Sequence, residues 1–213
     1  MSRAASLALR RAVVTVCRRL YERGLIAGQD GNVSVRLTPG TVLITPAGMS
    51  KIDVRPQDLV EVTMDGRTRR GTRAASSEAA LHLAIYAARG EVGAVVHAHP
   101  PVATGFAVAG ETLPHDALAE LVYNVGPVPL VPFVMPGTKA LGESVVEAMH
   151  GADAALLAHH GALTVGATLT VAHQRMESLE HAARIVLAAR QVGRVTRLGV
   201  DAVRALEARR GER

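Results

Sequence analysis

Two apolar runs constrain most strongly what this chain can become: "GAVVHAH" at 93–99 and "AALLAHHGALTV" at 154–165. Short, nearly continuous apolar stretches that stop at Pro or Gly mark buried strands rather than surface helices. The first predicts one strand that breaks at Pro100 and Pro101. The second predicts two short strands about a His-His-Gly corner. In an extended segment residues i and i+2 share a face, so His97 and His99 can reach a common point.

The N-terminal stretch "MSRAASLALRRAVVTVCRRLYERGL" places Leu9, Val13, Val16, Cys17 and Leu20 on one helical stripe, with Gly24 where a helix would stop. Its Arg-rich, acid-poor character also resembles a mitochondrial transit peptide. The apolar stripe favours a first amphipathic helix of the domain itself. "IAGQDGNVSVRL" predicts a tight turn and a strand from Val33 to Leu37. "TVLITPAGM" predicts a second strand ending in a Pro-Ala-Gly loop, and "LVEVTMDG" a third closed by Asp-Gly. Three strands so closely spaced predict an antiparallel sheet. "SSEAALHLAIYAARG" predicts a helix capped by Ser76 or Ser77 and ended by Gly90, with Leu81, Ala84, Ile85 and Ala88 facing inward. "LPHDALAELVYNVG" predicts a short helix before a strand in "VPLVPF". "TKALGESVVEAM" is helical, and "TLTVAHQRMESLEHAARIVLAARQ" forms one long helix. Without internal repeats or low-complexity linkers, residues 1–213 read as a single α/β (α+β) domain, a central sheet covered by helices.

Composition narrows the function classes. A single cysteine, Cys17, excludes an intramolecular disulfide framework and a Cys-based zinc knuckle. No apolar run is long enough to cross a bilayer. The net charge of +5 comes from arginines scattered along helices and at both ends. No aromatic-plus-basic pattern or helix-turn-helix signature accompanies them, so nucleic acid and membrane are not expected partners. A cytoplasmic enzyme for an anionic small molecule is expected.

The histidines suggest which chemistry. Imidazole is a good ligand for zinc, and His159 and His160 in "LLAHHGAL" offer a third ligand to His97 and His99. Spacing does not choose between His159 and His160. Three neutral ligands leave a zinc ion its full charge and an open position, as a Lewis acid requires. A base should stand nearby, and Glu78 opens the helix that precedes the His97 strand. A first-turn glutamate also suits the helix dipole. Ser76 and Ser77 at a helix start, with the backbone amides of "DGNVS" and "TPAG", supply the donors of an anion site.

Together "GNVS", "ITPAG", "SSE", "VVHAH" and "HHG" resemble the class II aldolase/adducin family, most closely its L-fuculose-1-phosphate aldolase group, from about Ala5 to Arg190. The resemblance implies a three-layer α/β/α sandwich around a mainly antiparallel sheet. It implies one Zn²⁺ per subunit held by His97, His99 and His160. Glu78 is implied as the acid/base residue and as an additional ligand when substrate is absent. Gly31, Asn32, Gly48, Ser76 and Ser77 are implied as a phosphate pocket, and the assembly as a homotetramer with sites between subunits.

The implied reaction is retro-aldol cleavage of a ketose 1-phosphate to dihydroxyacetone phosphate and an aldehyde through a metal-stabilised enediolate. L-fuculose 1-phosphate and the 5-deoxy and 5-methylthio ribulose 1-phosphates are the candidate substrates. Methylthioribulose-1-phosphate dehydratase, 4-epimerase and sugar-acid phosphate decarboxylase activities are alternatives in the same family. The 4-epimerases typically carry "SSD" where this chain has "SSE". A non-catalytic adducin-like assembly domain is the alternative from another class, and such domains lack the metal histidines kept here.

The chain departs from the aldolase pattern in three places. The tyrosine expected after Leu113-Pro114 is Leu118, which leaves Tyr123, His115 and Asp116 as candidates for the proton relay. The tail "RALEARRGER" has no tyrosine, and Ala47 stands where a phosphate-binding threonine is expected.

Overall fold

The computed structural model describes residues 3–211. Eight strands form one sheet: β1 (Asn32–Thr38), β2 (Thr41–Ile44), β3 (Val60–Thr63), β4 (Thr68–Arg70), β5 (Ala94–Ala98), β6 (Leu130–Val131), β7 (Ala154–Leu157) and β8 (Gly161–Gly166). Seven α-helices accompany them: α1 (Arg3–Glu22), α2 (Ala79–Ala88), α3 (Pro101–Val108), α4 (Ala119–Asn124), α5 (Lys139–Ala148), α6 (Leu169–Val192) and α7 (Val200–Gly211). The strand order is β4-β3-β2-β1-β5-β8-β7-β6. Every pairing is antiparallel except β6 with β7.

Period-two alternation sorts the sheet residues onto two faces. Val33, Val35, Val96, Ala98, Leu156 and Ala162 pack with α1, α3, α4 and α6. Val42, Ile44, Val95, Leu157, Leu163 and Val165 pack with α2 and α5. The result is the expected three-layer α/β/α sandwich. Helix α1 buries Val13, Val16, Cys17 and Leu20, and the chain leaves it at Gly24, where Leu25 N–H donates back to Leu20 O at 2.8 Å. The N-terminal stripe is thus part of the core.

Several local expectations are corrected. Ser76 and Ser77 do not cap α2; the residue at its N-cap is Glu78, whose side chain makes no capping bond. Ala88 is exposed, while His82, Leu83 and Tyr86 are buried. Helix α2 packs on the sheet and also against α5, which shares its layer, so it is covered on two sides. A Cβ at Gly142 of α5 would stand 2.8 Å from the Ala84 Cβ, showing how closely those helices approach. The strand expected in "VPLVPF" shrinks to two residues between prolines, which cannot donate to a ladder.

Three elements had no sequence expectation. β4 completes a hairpin across Asp65-Gly66. α3 starts at Pro101, and the buried Glu180 of α6 caps it by accepting from Val102 and Ala103 N–H at 3.1 and 2.9 Å. α7 packs against α4, and its Arg210 joins Arg89 and Arg175 on the Asp153 carboxylate at 2.6–2.8 Å. Among the described residues, no helix is long and apolar enough to cross a membrane.

Candidate metal and acid/base site

The sheet register builds the site. β5 lies between β1 and β8, with His97 opposite Asn32 on one side and Leu163 on the other. His97 therefore shares the α2-facing side with Asn32 and Ser34, and Glu78 at the head of α2 comes down onto it. His99 leaves the strand end, held by its own N–H donating to Leu25 O at 3.0 Å. At the β7–β8 corner His159 adopts a left-handed backbone with φ 55°. That turn sends the exposed His159 towards Phe133, at 6.4 Å between ring centroids, and brings His160 inward. Of the two, His160 is the one that converges with His97 and His99.

One ligand atom from each of His97, His99 and His160 lies within 4.8 Å of the other two. Two of the rings present the same face to the centre through second partners. His97 Nδ1–H donates to Ala162 O at 2.9 Å, leaving Nε2 bare and 3.2 Å from His99 Nε2. His99 Nδ1 lies 3.4 Å from the Asp30 carboxylate. Burial, together with the neighbouring His97, pushes His160 down to about 4 and lowers His99 as well. Neutral imidazoles are what a cation needs.

Glu78 completes the ring of groups. Its Oε2 lies 3.2 Å from His97 Nε2 and its Oε1 3.4 Å from His160 Nε2. Burial raises its pKa, but the His97 ring and the Asn32 amide beside it, with His160, hold it well below the usual carboxylate range. Glu78 Oε1 and His160 Nδ1 are nevertheless buried without hydrogen-bond partners. An orphaned carboxylate oxygen among three converging imidazole nitrogens fits a divalent cation and asks for one.

The expected phosphate residues surround this centre unevenly. Gly31 has φ 68°, and a Cβ there would meet His97 O at 2.8 Å, so only glycine fits beside the strand. Gly48 sits in an open loop with φ 64°. Ser76 is buried and its hydroxyl accepts from Glu78 N–H at 3.3 Å, whereas Ser77 is exposed. Asn32 spends its side chain on Glu78 and His82. Lys51, which sequence reasoning missed, is buried and donates to Gln29 O at 2.6 Å and Met49 O at 3.0 Å. It ties together the loops that carry Gly31 and Gly48.

The candidates for a proton relay lie elsewhere. Asp116 pairs with Arg197. His115 lines a cleft with Glu111, Arg190 and Arg197, and Tyr123 a groove with Leu206 and Arg209. Neither cleft includes a residue of the histidine cluster.

Residues 11–187 match the model of the class II aldolase and adducin N-terminal domain. The chain belongs to the class II aldolase/adducin family. This class II aldolase is a lyase, as its named relatives indicate. It is 38% identical over 166 residues to the 5-methylthioribulose-1-phosphate/5-deoxyribulose-1-phosphate aldolase of Rhodospirillum rubrum, covering 78% of this chain and 74% of that one. It is 32% identical over 182 residues to the 3-oxo-tetronate 4-phosphate decarboxylase of Escherichia coli, covering 84% and 85%. The solved structure of an L-fuculose 1-phosphate aldolase superposes with TM-score 0.89 at 28% identity, over 98% of this chain and 96% of that one.

Proposed function

We propose that this class II aldolase is a one-domain cytoplasmic enzyme that cleaves a ketose 1-phosphate to dihydroxyacetone phosphate and an aldehyde. Convergence of His97, His99 and His160 with the unpartnered Oε1 of Glu78 carries the reading. The three imidazoles would hold zinc, which when bound supplies a Lewis acid for the carbonyl and hydroxyl oxygens of the ketose. Glu78 carries the proton at the carbon where the bond breaks: it gives that proton in cleavage and takes it in condensation. Its buried position beside the imidazoles keeps bulk water from competing for the proton. The loops of Gly31 and Gly48, with Ser76 and Ser77, would hold the phosphate through N–H and hydroxyl donors.

A 5-deoxy or 5-methylthio ribulose 1-phosphate is the substrate best supported, because the aldolase of Rhodospirillum rubrum named for both shares 38% of its aligned residues with this chain. A homotetramer with sites between subunits is proposed with it. Phe133 and Met135, exposed beside the histidine corner, would be covered by a neighbouring copy.

The relative named as a decarboxylase favours a second reading. Loss of carbon dioxide from a 3-oxo acid 4-phosphate leaves the enediolate of dihydroxyacetone phosphate, so Glu78 in its protonated form could deliver the proton to carbon there as well. Zinc-loaded protein incubated with ketose 1-phosphates and with 3-oxo-tetronate 4-phosphate decides between the two. Dihydroxyacetone phosphate with an equimolar aldehyde supports the aldolase reading, and dihydroxyacetone phosphate with carbon dioxide supports the other. Full turnover after thorough chelation would end both.

A further inference from the structure

Behind Glu78 runs a buried line of hydrogen bonds that the metal site does not explain. Tyr86 OH lies 2.9 Å from Ser34 Oγ, and Ser34 Oγ lies 2.6 Å from His82 Nδ1. His82 Nε2 bonds Asn32 Oδ1, and Asn32 Nδ2 donates to Glu78 Oε2 at 2.8 Å. Asn32, Ser34, His82 and Tyr86 are all buried. Three of the five residues, Glu78, His82 and Tyr86, follow one another at four-residue spacing along α2. The other two, Asn32 and Ser34, are alternate residues of β1.

The chemistry of the groups fixes the direction of every bond. An ionised carboxylate only accepts, so Asn32 must turn its NH₂ to Glu78 and its oxygen to His82. That oxygen also only accepts, so His82 Nε2 carries the hydrogen. Burial and the charge of His97 push His82 down to about 3, so the ring is neutral and Nδ1 is bare. Nδ1 takes the Ser34 hydroxyl hydrogen, and Tyr86 in turn donates to Ser34. All four hydrogens point towards the carboxylate, an arrangement in which each bond polarises the next.

We propose that His82 is a positioning residue for Glu78: through the Asn32 amide it ties up Oε2 and leaves Oε1 as the one carboxylate oxygen free to exchange a proton with substrate. The proposal rests on the reading of Glu78 as the acid/base residue. With His82 in place the Asn32 amide is held at both ends. Without it the Asn32 oxygen is left buried and unpaired, and the amide can swing away from Glu78 to find another donor, which releases Oε2.

The test uses the zinc-loaded enzyme with His82→Leu and His82→Gln. Outer partners of this kind are worth roughly 10–100-fold. His82→Leu should lower kcat by about that factor, with KM within about threefold and zinc content unchanged. Glutamine can still donate to Asn32 and should recover most of the loss. Nitrogen-15 NMR of the wild-type chain supplies a readout independent of turnover. His82 should be the neutral tautomer protonated at Nε2 throughout the range of about pH 5–8.

A ring protonated at Nδ1 overturns the proposal. So does a folded His82→Leu with normal kcat, or one that loses zinc in step with kcat. If His82→Leu does not fold, Ser34→Ala takes its place. It should mix the two tautomers and cost kcat a few-fold, about what one net hydrogen bond is worth; unchanged tautomer and rate overturn the idea. Should the wild type turn over no ketose phosphate, the proposed function falls, while the tautomer still decides the role of His82.

Discussion

His97, His99, His160 and Glu78 lie on β5, just past its end, at the β7–β8 corner and at the head of α2, near the middle of the eight-stranded sheet. Residues 113–124 are built differently: a one-turn 3-10 helix at His115–Ala117 and the six-residue α4, resting on α6 and α7. In the first region ladders on both sides of β5 set His97, backbone bonds to Leu25 and Leu157 hold His99 and His160, and second bonds to Ala162 and Asp30 orient two of the rings. In the second, Asp116 is spent on Arg197. A cation and a base need fixed geometry, and one chain supplies it. Leu118, the residue at the position where the resemblance expects a tyrosine, is the N-cap of α4 and carries no proton.

Removing a ligand should have the largest effect. His97→Ala, His99→Ala or His160→Ala should each abolish bound zinc and lower kcat/KM by about 10³-fold or more, since the Lewis acid is worth several kcal/mol. Metal analysis alongside kinetics checks this, and a variant that keeps both would break the contrast at its stronger side. Glu78→Gln comes next. The change is nearly isosteric and should keep the metal, but glutamine cannot carry the proton, so kcat should fall by roughly 10²–10⁴-fold. Near-normal turnover with zinc bound would make Glu78 a ligand or helix-start carboxylate and nothing more.

Gly161→Ala probes the scaffold without replacing a ligand. A Cβ there would meet Ala98 O and His99 Cδ2, each at 2.6 Å, so β5 or the His99 ring must shift. Zinc affinity should weaken by roughly 10–100-fold, the usual cost of disturbing the surroundings of a metal ligand, readable by competition with a chromogenic chelator. The smallest effects belong to the other region. Tyr123→Phe and His115→Ala should each change kcat by less than about threefold, well short of what a general acid contributes. A loss of a hundredfold at either would erase the difference between the two regions and identify the missing acid.

Much of this contrast could be read from the amino acids. The apolar runs around His97 and His160 fixed their strands, and the Leu9–Leu20 stripe and the long α6 followed from helical period. Local signals misled elsewhere for definite reasons. Pro100-Pro101 reads as a break, yet proline at the first helical position begins α3. α7 is Arg-rich and buries no residue fully, so it shows little apolar stripe, and β4 is three exposed residues recognisable only from its partner.

His82 and Tyr86 were hidden by α2 itself. An inward stripe at Leu81, Ala84, Ile85 and Ala88 gave the helix one buried side. The second side, at Glu78, His82 and Tyr86, shows only once the helix is placed against both the sheet and α5. The spacing was visible as a glutamate, a histidine and a tyrosine on successive turns, beside alternate polar residues in "GNVS".

The pairing of Asn32 with His97 has a consequence for how the chain reaches its folded state. Side chains alternate across a strand, so slipping β5 by one residue against β1 would turn His97 to the α6 side and present an aliphatic residue in its place. No partial register gathers the three imidazoles. Cation capture would therefore report on the sheet as a whole: a refolding chain should take up zinc only after β1, β5 and β8 have aligned. Metal uptake timed against the return of secondary structure would then show when the strands lock, and a population trapped out of register would stay metal-free however helical it became.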